Sequence, residues 1–170
     1  MPMDTATLFR LAAGPDAARR VFAWLVEGLN ADIGKGLTTA SVYDIPNMRS
    51  RRVFSENPEA YELGGFKVLE KNRYFDEVLS ETRHFSSTTI EEIAEVFFDW
   101  EKIRDLGFQS NMNLPAVADG RVIGTVNMLG PKGHFAPEMI GRALAWQPAV
   151  TTAFLLLHLA NDDTATFQDG

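Results

Sequence analysis

The sequence contains no cysteine, and this absence removes several kinds of chemistry at once. Without a thiol there is no disulfide framework, no thiolate metal site and no cysteine nucleophile. The three histidines, His84, His134 and His158, have no carboxylate or second histidine at metal-ligand spacing. Motifs of the G-x-S-x-G, H-E-x-x-H and P-loop kinds are also missing. We therefore expect no metal, no other cofactor and no enzymatic activity.

Excess positive charge and long apolar segments are lacking as well. The chain has 16 Lys and Arg against 23 Asp and Glu, a formal net charge of -7, and no long basic run. Nucleic acid is therefore a poor partner, because affinity for it depends on basic side chains that contact phosphates. The N-terminal segment has no apolar run of signal-peptide length, and "AFLLLHLA" is too short to span a bilayer. The sequence predicts a cytoplasmic protein with no membrane partner.

Hydrophobic residues make up 45% of the 170 residues and include 12 Phe, which is enough for one sizeable core. We expect a single domain over residues 1–170. A second helix pattern, over residues 137–160, contains Pro148, which should kink or split the helix. The first helix is predicted over residues 15–30, because apolar residues recur there at steps of three and four: Ala18, Val21, Phe22, Leu25 and Leu29.

The segment between these helices, residues 36–130, carries strand patterns and two shorter helix patterns. "KGLTTASVYDIP" and "RSRRVFSE" predict two strands, and "YFDEVLSETRHF" predicts a short helix. Thr88 followed by Glu91 forms a capping-box pattern, and the helical stripe after it reaches Leu106. The connections between strands look too short for parallel crossovers. The order of elements therefore predicts an α+β fold with an antiparallel sheet.

A hairpin is predicted in "SNMNLPAVADGRVIGTVNML", residues 110–129, with its turn at Asp119 and Gly120. If the turn is the three-residue type with a glycine bulge, odd positions pair with odd positions. One face then carries Met112, Leu114, Ala116, Val126 and Met128, with Gly124 letting a helix approach closely. The other face carries Asn111, Asn113, Thr125 and Asn127. A two-residue turn would instead shift the register by one and scatter the amides.

The stretch "LGFQSNMNLPAVADGRVIGTVNMLGPKGHFAPEMI" resembles the closing half of a GAF domain. The matching residues are Pro115, Gly120, Ile123, Gly124, Phe135, Pro137 and Glu138. "RVFSENPEAYELGG" resembles the second strand and loop of a group of stand-alone bacterial GAF proteins. The resemblance implies a GAF/PAS-like central sheet of about six antiparallel strands. It also implies N- and C-terminal helices packed on one face, with a ligand pocket under loops and short helices on the other.

The same resemblance limits the activities to be expected. The free methionine sulfoxide reductases of the GAF fold need cysteines, and phytochrome-type members usually hold a bilin through one. Because this chain has no cysteine, neither activity is expected. The remaining hypothesis is a small-molecule-sensing signalling module. The alternative is a non-catalytic dimerisation or protein-interaction module whose pocket is vestigial.

Asparagine suits a ligand pocket because its amide offers donors and an acceptor without the desolvation cost of a charge. Arg52 and Phe54, two residues apart on a strand, are expected to share one face. Each candidate also has a plainer interpretation: amides can bond to one another or to the covering loop, arginines can solvate an edge strand, and aromatics can be core. The predicted pocket, for a small polar metabolite, is lined by Tyr43, Arg52, Phe54, Tyr61, Trp100, Asn111, Asn113 and Asn127.

A homodimer through the terminal helices is also expected. "AFLLLHLA" in the last helix is apolar nearly all round, so one sheet face can cover only part of its circumference. A second helix must cover the rest. The helix over residues 15–30 can do so within one chain, and the sequence leaves both arrangements open.

Overall fold

The computed structural model describes residues 3–34, 36–160 and 163–168. In this part of the chain six strands form one sheet: β1 Leu37–Asp44, β2 Arg49–Ser55, β3 Lys67–Val68, β4 Phe85–Ser87, β5 Ser110–Ala118 and β6 Arg121–Gly130. A π-helical segment spans Phe75–Ser80. The α-helices are α1 Thr5–Ala12, α2 Ala17–Ile33, α3 Ile90–Ala94, α4 Trp100–Asp105, α5 Pro137–Leu144 and α6 Gln147–Leu159.

The strands lie in the order β3-β2-β1-β6-β5-β4, and every neighbouring pair is antiparallel. Helices α2 and α6 pack on one face, which we call the helix-side face, and their apolar stripes bury Phe22, Leu25 and Phe154 there. The opposite, loop-side face is covered by the π-helical segment, α3 and α4, with a second apolar cluster that includes Phe75 and Phe85. The predicted α+β antiparallel fold is confirmed.

Gly124 explains how closely α6 approaches the sheet. A Cβ atom at this position would lie 2.2 Å from the ring of Phe154. No real contact is that short, so any larger residue would push the helix and strand apart. The expectation that Gly124 admits a helix is confirmed. The apolar face predicted for the hairpin is also confirmed, because Met112, Leu114, Val126 and Met128 are all buried in the helix-side core.

The helices differ from the predicted ones in three places. Helix α1 was not predicted, and the stripe expected to run from Ile90 to Leu106 is broken into α3 and α4. The break lets Val96 and Phe97 both pack on the loop-side cluster, although neighbouring residues of one helix point roughly 100° apart. The N-cap of α3 is Thr89, one residue later than predicted, and its hydroxyl accepts the Glu92 N–H.

The C-terminal helix is divided as Pro148 predicts. Helix α5 ends at Leu144, α6 begins at Gln147, and the two axes bend by 47°. Pro148 lies in the first turn of α6, where its missing N–H costs no hydrogen bond. In the residues that the structure describes, no single helix is long and apolar enough to cross a membrane, and only the bent α5 and α6 pair together meets those criteria.

The hairpin turn is not the predicted type, yet the amides still share a face. Asp119 and Gly120 form a two-residue turn, both with positive φ (51° and 73°), between the paired Ala118 and Arg121. Such a turn alone would scatter the amides. A β-bulge at Ile123 shifts the register back by one, and so Asn113 pairs with Asn127.

A second bulge overturns the expectation for Phe54. In β2 Arg52 pairs with Ser41 and Phe54 pairs with Ala40, which leaves Val53 as the extra residue. Arg52 and Phe54 therefore point to opposite faces. The Phe54 ring lies 4.8 Å from the Phe22 ring, centroid to centroid, in the helix-side core.

Candidate functional site

A cavity of about 160 Å³ lies on the loop-side face of the sheet. We call it the amide cavity. Its floor consists of side chains from β1, β2, β5 and β6, and its roof comes from the loop after β2, the turn between α3 and α4, and α4 itself. The side chains that define it are Thr39, Ser41, Tyr43, Arg52, Tyr61, Tyr74, Phe97, Asp99, Ile103, Asn111, Asn113 and Asn127.

The three asparagines form a continuous hydrogen-bonded chain across the floor. Asn111 Nδ2 donates to Asn113 Oδ1 at 2.9 Å, and Asn113 Nδ2 donates to Asn127 Oδ1 at 2.8 Å. Asn127 Oδ1 also accepts from the Thr125 hydroxyl at 2.8 Å, and Asn127 Nδ2 donates to Thr39 Oγ1 at 3.3 Å. The amides thus bond to one another, as the plainer interpretation expected. Their partners are strand side chains, not the backbone of the covering loop.

Two polar atoms at this cavity have no partner among the described residues. Asn111 Oδ1 and Arg52 Nε are both buried without a hydrogen bond. Leaving a buried polar group unsatisfied costs about 1–3 kcal/mol, and more when the group is charged. Both side chains line the amide cavity, so a molecule bound there can satisfy them.

The guanidinium of Arg52 lies against an aromatic ring and makes no ion pair within the described ranges. Its central carbon lies 5.0 Å from the centroid of the Tyr61 ring, and Lys102 Nζ lies 4.0 Å from the same centroid. Burial lowers the pKa of Arg52 from its ordinary value. Even so, arginine stays charged at any physiological pH. The cavity wall therefore carries one buried positive charge that the chain itself does not neutralise.

The other two arginines of β2 are used by the protein itself. Arg51 is buried and donates to the Ala165 carbonyl at 2.7 Å, and Arg49 Nε donates to Asp44 Oδ2 at 2.8 Å. Arg51 lines a second cavity of about 190 Å³ beside the end of α6. The interpretation that these arginines only solvate an edge strand fails, because Arg51 and Arg52 are both removed from solvent to a large extent.

Three tyrosines surround the amide cavity, and all are held in the neutral form. Burial, followed by the charge of Asp99, raises the pKa of Tyr61 to about 12. Burial also raises the pKa of Tyr43 and of Tyr74, whose hydroxyl oxygens lie 3.2 Å apart. At neutral pH these hydroxyls can donate to a ligand, but they supply no base.

An alkaline titration should reveal this environment. The chain has 3 Tyr, and all three should ionise later than free tyrosine, whose pKa is about 10. Because these pKa values are raised, the associated stability is present below about pH 10 and is lost as pH rises towards about 12 for Tyr61. Ultraviolet absorbance should show little tyrosinate near pH 10 in the folded protein, whereas the urea-unfolded protein is half ionised there. Coincident curves would contradict the packing of these rings.

The structure brings six of the eight predicted residues together. Tyr43, Arg52, Tyr61 and the three asparagines line the amide cavity. Phe54 lies on the helix-side face, and Trp100, at the start of α4, is half-buried beside Arg104 and outside the cavity lining. Sequence reasoning missed Thr39, Ser41, Tyr74 and Asp99. The alternation of β1 could have indicated the first two, because Thr39, Ser41 and Tyr43 share one face.

Comparison with known proteins identifies the fold. No family model matches the chain, and no curated protein matches it in sequence. Its structure is similar to the GAF domain of a two-component sensor histidine kinase from Bacillus halodurans, with a TM-score of 0.66, 10% identity, and 84% of this chain and 96% of that chain covered. The GAF domain of a phosphoenolpyruvate-protein phosphotransferase from Coxiella burnetii gives 0.63, with 13% identity and 92% of each chain covered.

A GAF domain/HD domain protein from Geobacter sulfurreducens gives a TM-score of 0.63 with 14% identity, covering 84% of this chain and 94% of that chain. At these identities the likeness concerns the fold alone. The shared order of strands and the pair of helices on one face extend over most of the described residues. The chain has the fold of a GAF domain.

Proposed function

We propose that this chain is a regulatory sensing module that binds a small polar metabolite in the amide cavity without changing it chemically. The observation that carries the proposal is the pair of buried, unsatisfied polar atoms, Asn111 Oδ1 and Arg52 Nε, on the wall of one cavity. A ligand that bonds to both offsets a cost that the empty protein bears. The fold supports the proposal, because GAF domains of sensor proteins share it.

Binding without reaction is supported by the chemistry of the lining. Amides, hydroxyls and an arginine hold and orient a ligand, but none of them is a general base at neutral pH. The tyrosines stay protonated, and the described lining residues include no His. Asp99 is the one carboxylate among them. A module that recognises a molecule and reports its presence needs no more than this.

The sheet provides a path from the cavity to the terminal helices. Strands β5 and β6 carry the amides on the loop-side face and pack on α6 through the helix-side face. The contact of Gly124 with Phe154 leaves no free space between β6 and α6. A ligand that draws the roof onto the floor therefore shifts strands that the helices must follow.

A second function, in which the cavity is vestigial and the chain serves as an interaction module, has two observations in its favour. The amides bond largely to one another, which is a structural role in itself. Large apolar side chains are exposed on the terminal helices: Phe9 is 77% exposed, Leu155 46% and Leu159 79%. Single exposed apolar residues are common on monomers, so this function stays second.

Homodimerisation through the terminal helices remains a prediction. Helix α2 packs against α6 within the chain and so already covers much of it, and the outward part of α6 presents Leu155 and Leu159. We expect a dimer by light scattering at micromolar concentration. Leu155→Glu together with Leu159→Glu should convert it to a monomer with an unchanged circular dichroism spectrum. A monomeric wild-type protein would remove this prediction.

Thermal-shift screening with a library of small polar metabolites tests the proposed function. At least one compound should raise the melting temperature of the wild-type protein, because it binds only the folded state. Asn111→Leu, which removes a cavity amide, should lose that shift. Asn47→Ala, which removes an exposed amide bonded to Asp44, should keep it. The proposal fails if no compound raises the melting temperature and mass spectrometry finds no small molecule released from the purified protein.

A further inference from the structure

We infer that the ligand of the amide cavity is a small zwitterionic amino acid, with its carboxylate on Arg52 and its ammonium between Asp99 and Asn111 Oδ1. This inference rests on the proposed function and names the ligand class. Arg52 and Asp99 carry opposite charges and line the same cavity. The arrangement fits a molecule that carries both charges itself.

The size of the cavity excludes larger ligands. A volume of about 160 Å³ corresponds to about five water molecules at roughly 30 Å³ each. A nucleotide or a tetrapyrrole is several times larger than this space. A free amino acid with a small side chain is the size of molecule that such a space admits.

Arg52 calls for an anion. Its Nε is buried without a hydrogen bond, and its guanidinium has no carboxylate within ion-pair distance in the described residues. A carboxylate can bind a guanidinium through two parallel hydrogen bonds, which are among the strongest in proteins. The ring of Tyr61 holds the guanidinium from one side, and so its position is fixed before any ligand arrives.

Asp99 supplies the opposite charge. It occupies the N-cap position of α4, yet its side chain caps no N–H, and it forms no ion pair with any described basic residue. It lies near enough to Arg52 to favour the charged guanidinium, but the two do not form a salt bridge. Two unpaired charges of opposite sign on one cavity wall leave a gap that a zwitterion can bridge.

The uncharged part of the lining accounts for the rest of the ligand. Asn111 Oδ1 accepts a hydrogen bond and has none, so it adds a second acceptor for an ammonium group. Phe97 and Ile103, from the roof, provide apolar surface near Asp99. An amino acid with a small apolar side chain matches both features, because its side chain can take the apolar part of the space.

Isothermal titration calorimetry with each standard L-amino acid tests the inference. At least one with a small apolar side chain should bind, whereas its amine lacking the carboxylate and its acid lacking the ammonium should bind at least roughly tenfold more weakly. Arg52→Gln and Asp99→Asn should each weaken binding by roughly 10- to 100-fold, since each removes a charge-assisted hydrogen bond. Arg49→Gln and Asp105→Asn are the matched controls and should leave the Kd unchanged, because both residues pair at the surface outside the cavity.

The results separate this inference from the proposed function. If amino acids do not bind but another compound from the metabolite library does, the zwitterion is wrong and the sensing module stands. The same holds if a bound amino acid ignores both Arg52→Gln and Asp99→Asn. If no compound binds at all, both fail.

Discussion

Replacing Phe154 by Ala should lower the free energy of unfolding by about 3–5 kcal/mol, the largest stability effect that we expect from a single substitution in this chain. The Phe154 side chain is fully buried in α6. Its ring fills the space left by Gly124 and meets the Phe167 ring edge-on at 5.2 Å. Removing it opens a cavity between sheet and helix that the rigid strands cannot close. Urea unfolding followed by circular dichroism measures the loss.

Leu155→Ala is the matched control for this prediction. Leu155 follows Phe154 in the same helix but is 46% exposed, so its truncation should cost less than about 1 kcal/mol. If the two substitutions destabilise the protein equally, α6 does not dock on the sheet through Phe154. The proposed path from the amide cavity to the terminal helices would then lack its central contact.

Asn127→Leu should cost about 2–4 kcal/mol, because Asn127 is the centre of the amide chain. Its oxygen accepts from Asn113 and Thr125, and its nitrogen donates to Thr39. A leucine leaves all three partners unsatisfied on a largely buried floor. The measurement is again urea unfolding, with the ligand absent.

Asn111→Leu provides the comparison within the same chain of amides. Asn111 makes one side-chain hydrogen bond, to Asn113, and its oxygen has no partner, so the substitution should cost about 1 kcal/mol or less. The difference separates amides that support the fold from an amide kept for a ligand. An equal cost at both positions would mean that Asn111 is structural too, and the vestigial-pocket function would gain.

The elements with regular periodicity could be predicted from the sequence. The stripe of residues 15–30 indicates α2, and the alternation of Met112 and Leu114 indicates the buried face of β5. Proline marks the division of the last helix at Pro148. In each case one local rule agrees with the tertiary packing, so the pattern is sufficient.

The positions of single side chains depend on bulges, which have no such local signal. The bulge at Ile123 restores the amide face that the two-residue turn would have destroyed, and the bulge at Val53 turns Phe54 away from Arg52. Both bulges are set by how the strands pair and pack. Asp99 was missed for a similar reason, since only the break between α3 and α4 brings it to the cavity.

The most direct test of the account is a ¹H–¹⁵N NMR spectrum of the side-chain amides, recorded while a small amino acid or a library compound is added. We predict that the signals of Asn111, Asn113 and Asn127 move with a common saturation curve, because one ligand meets one hydrogen-bonded chain. The signal of Asn47, an amide bonded to Asp44 on the surface, should stay in place. If the three cavity amides move for no compound, or move only together with Asn47, the amide cavity is not a ligand site.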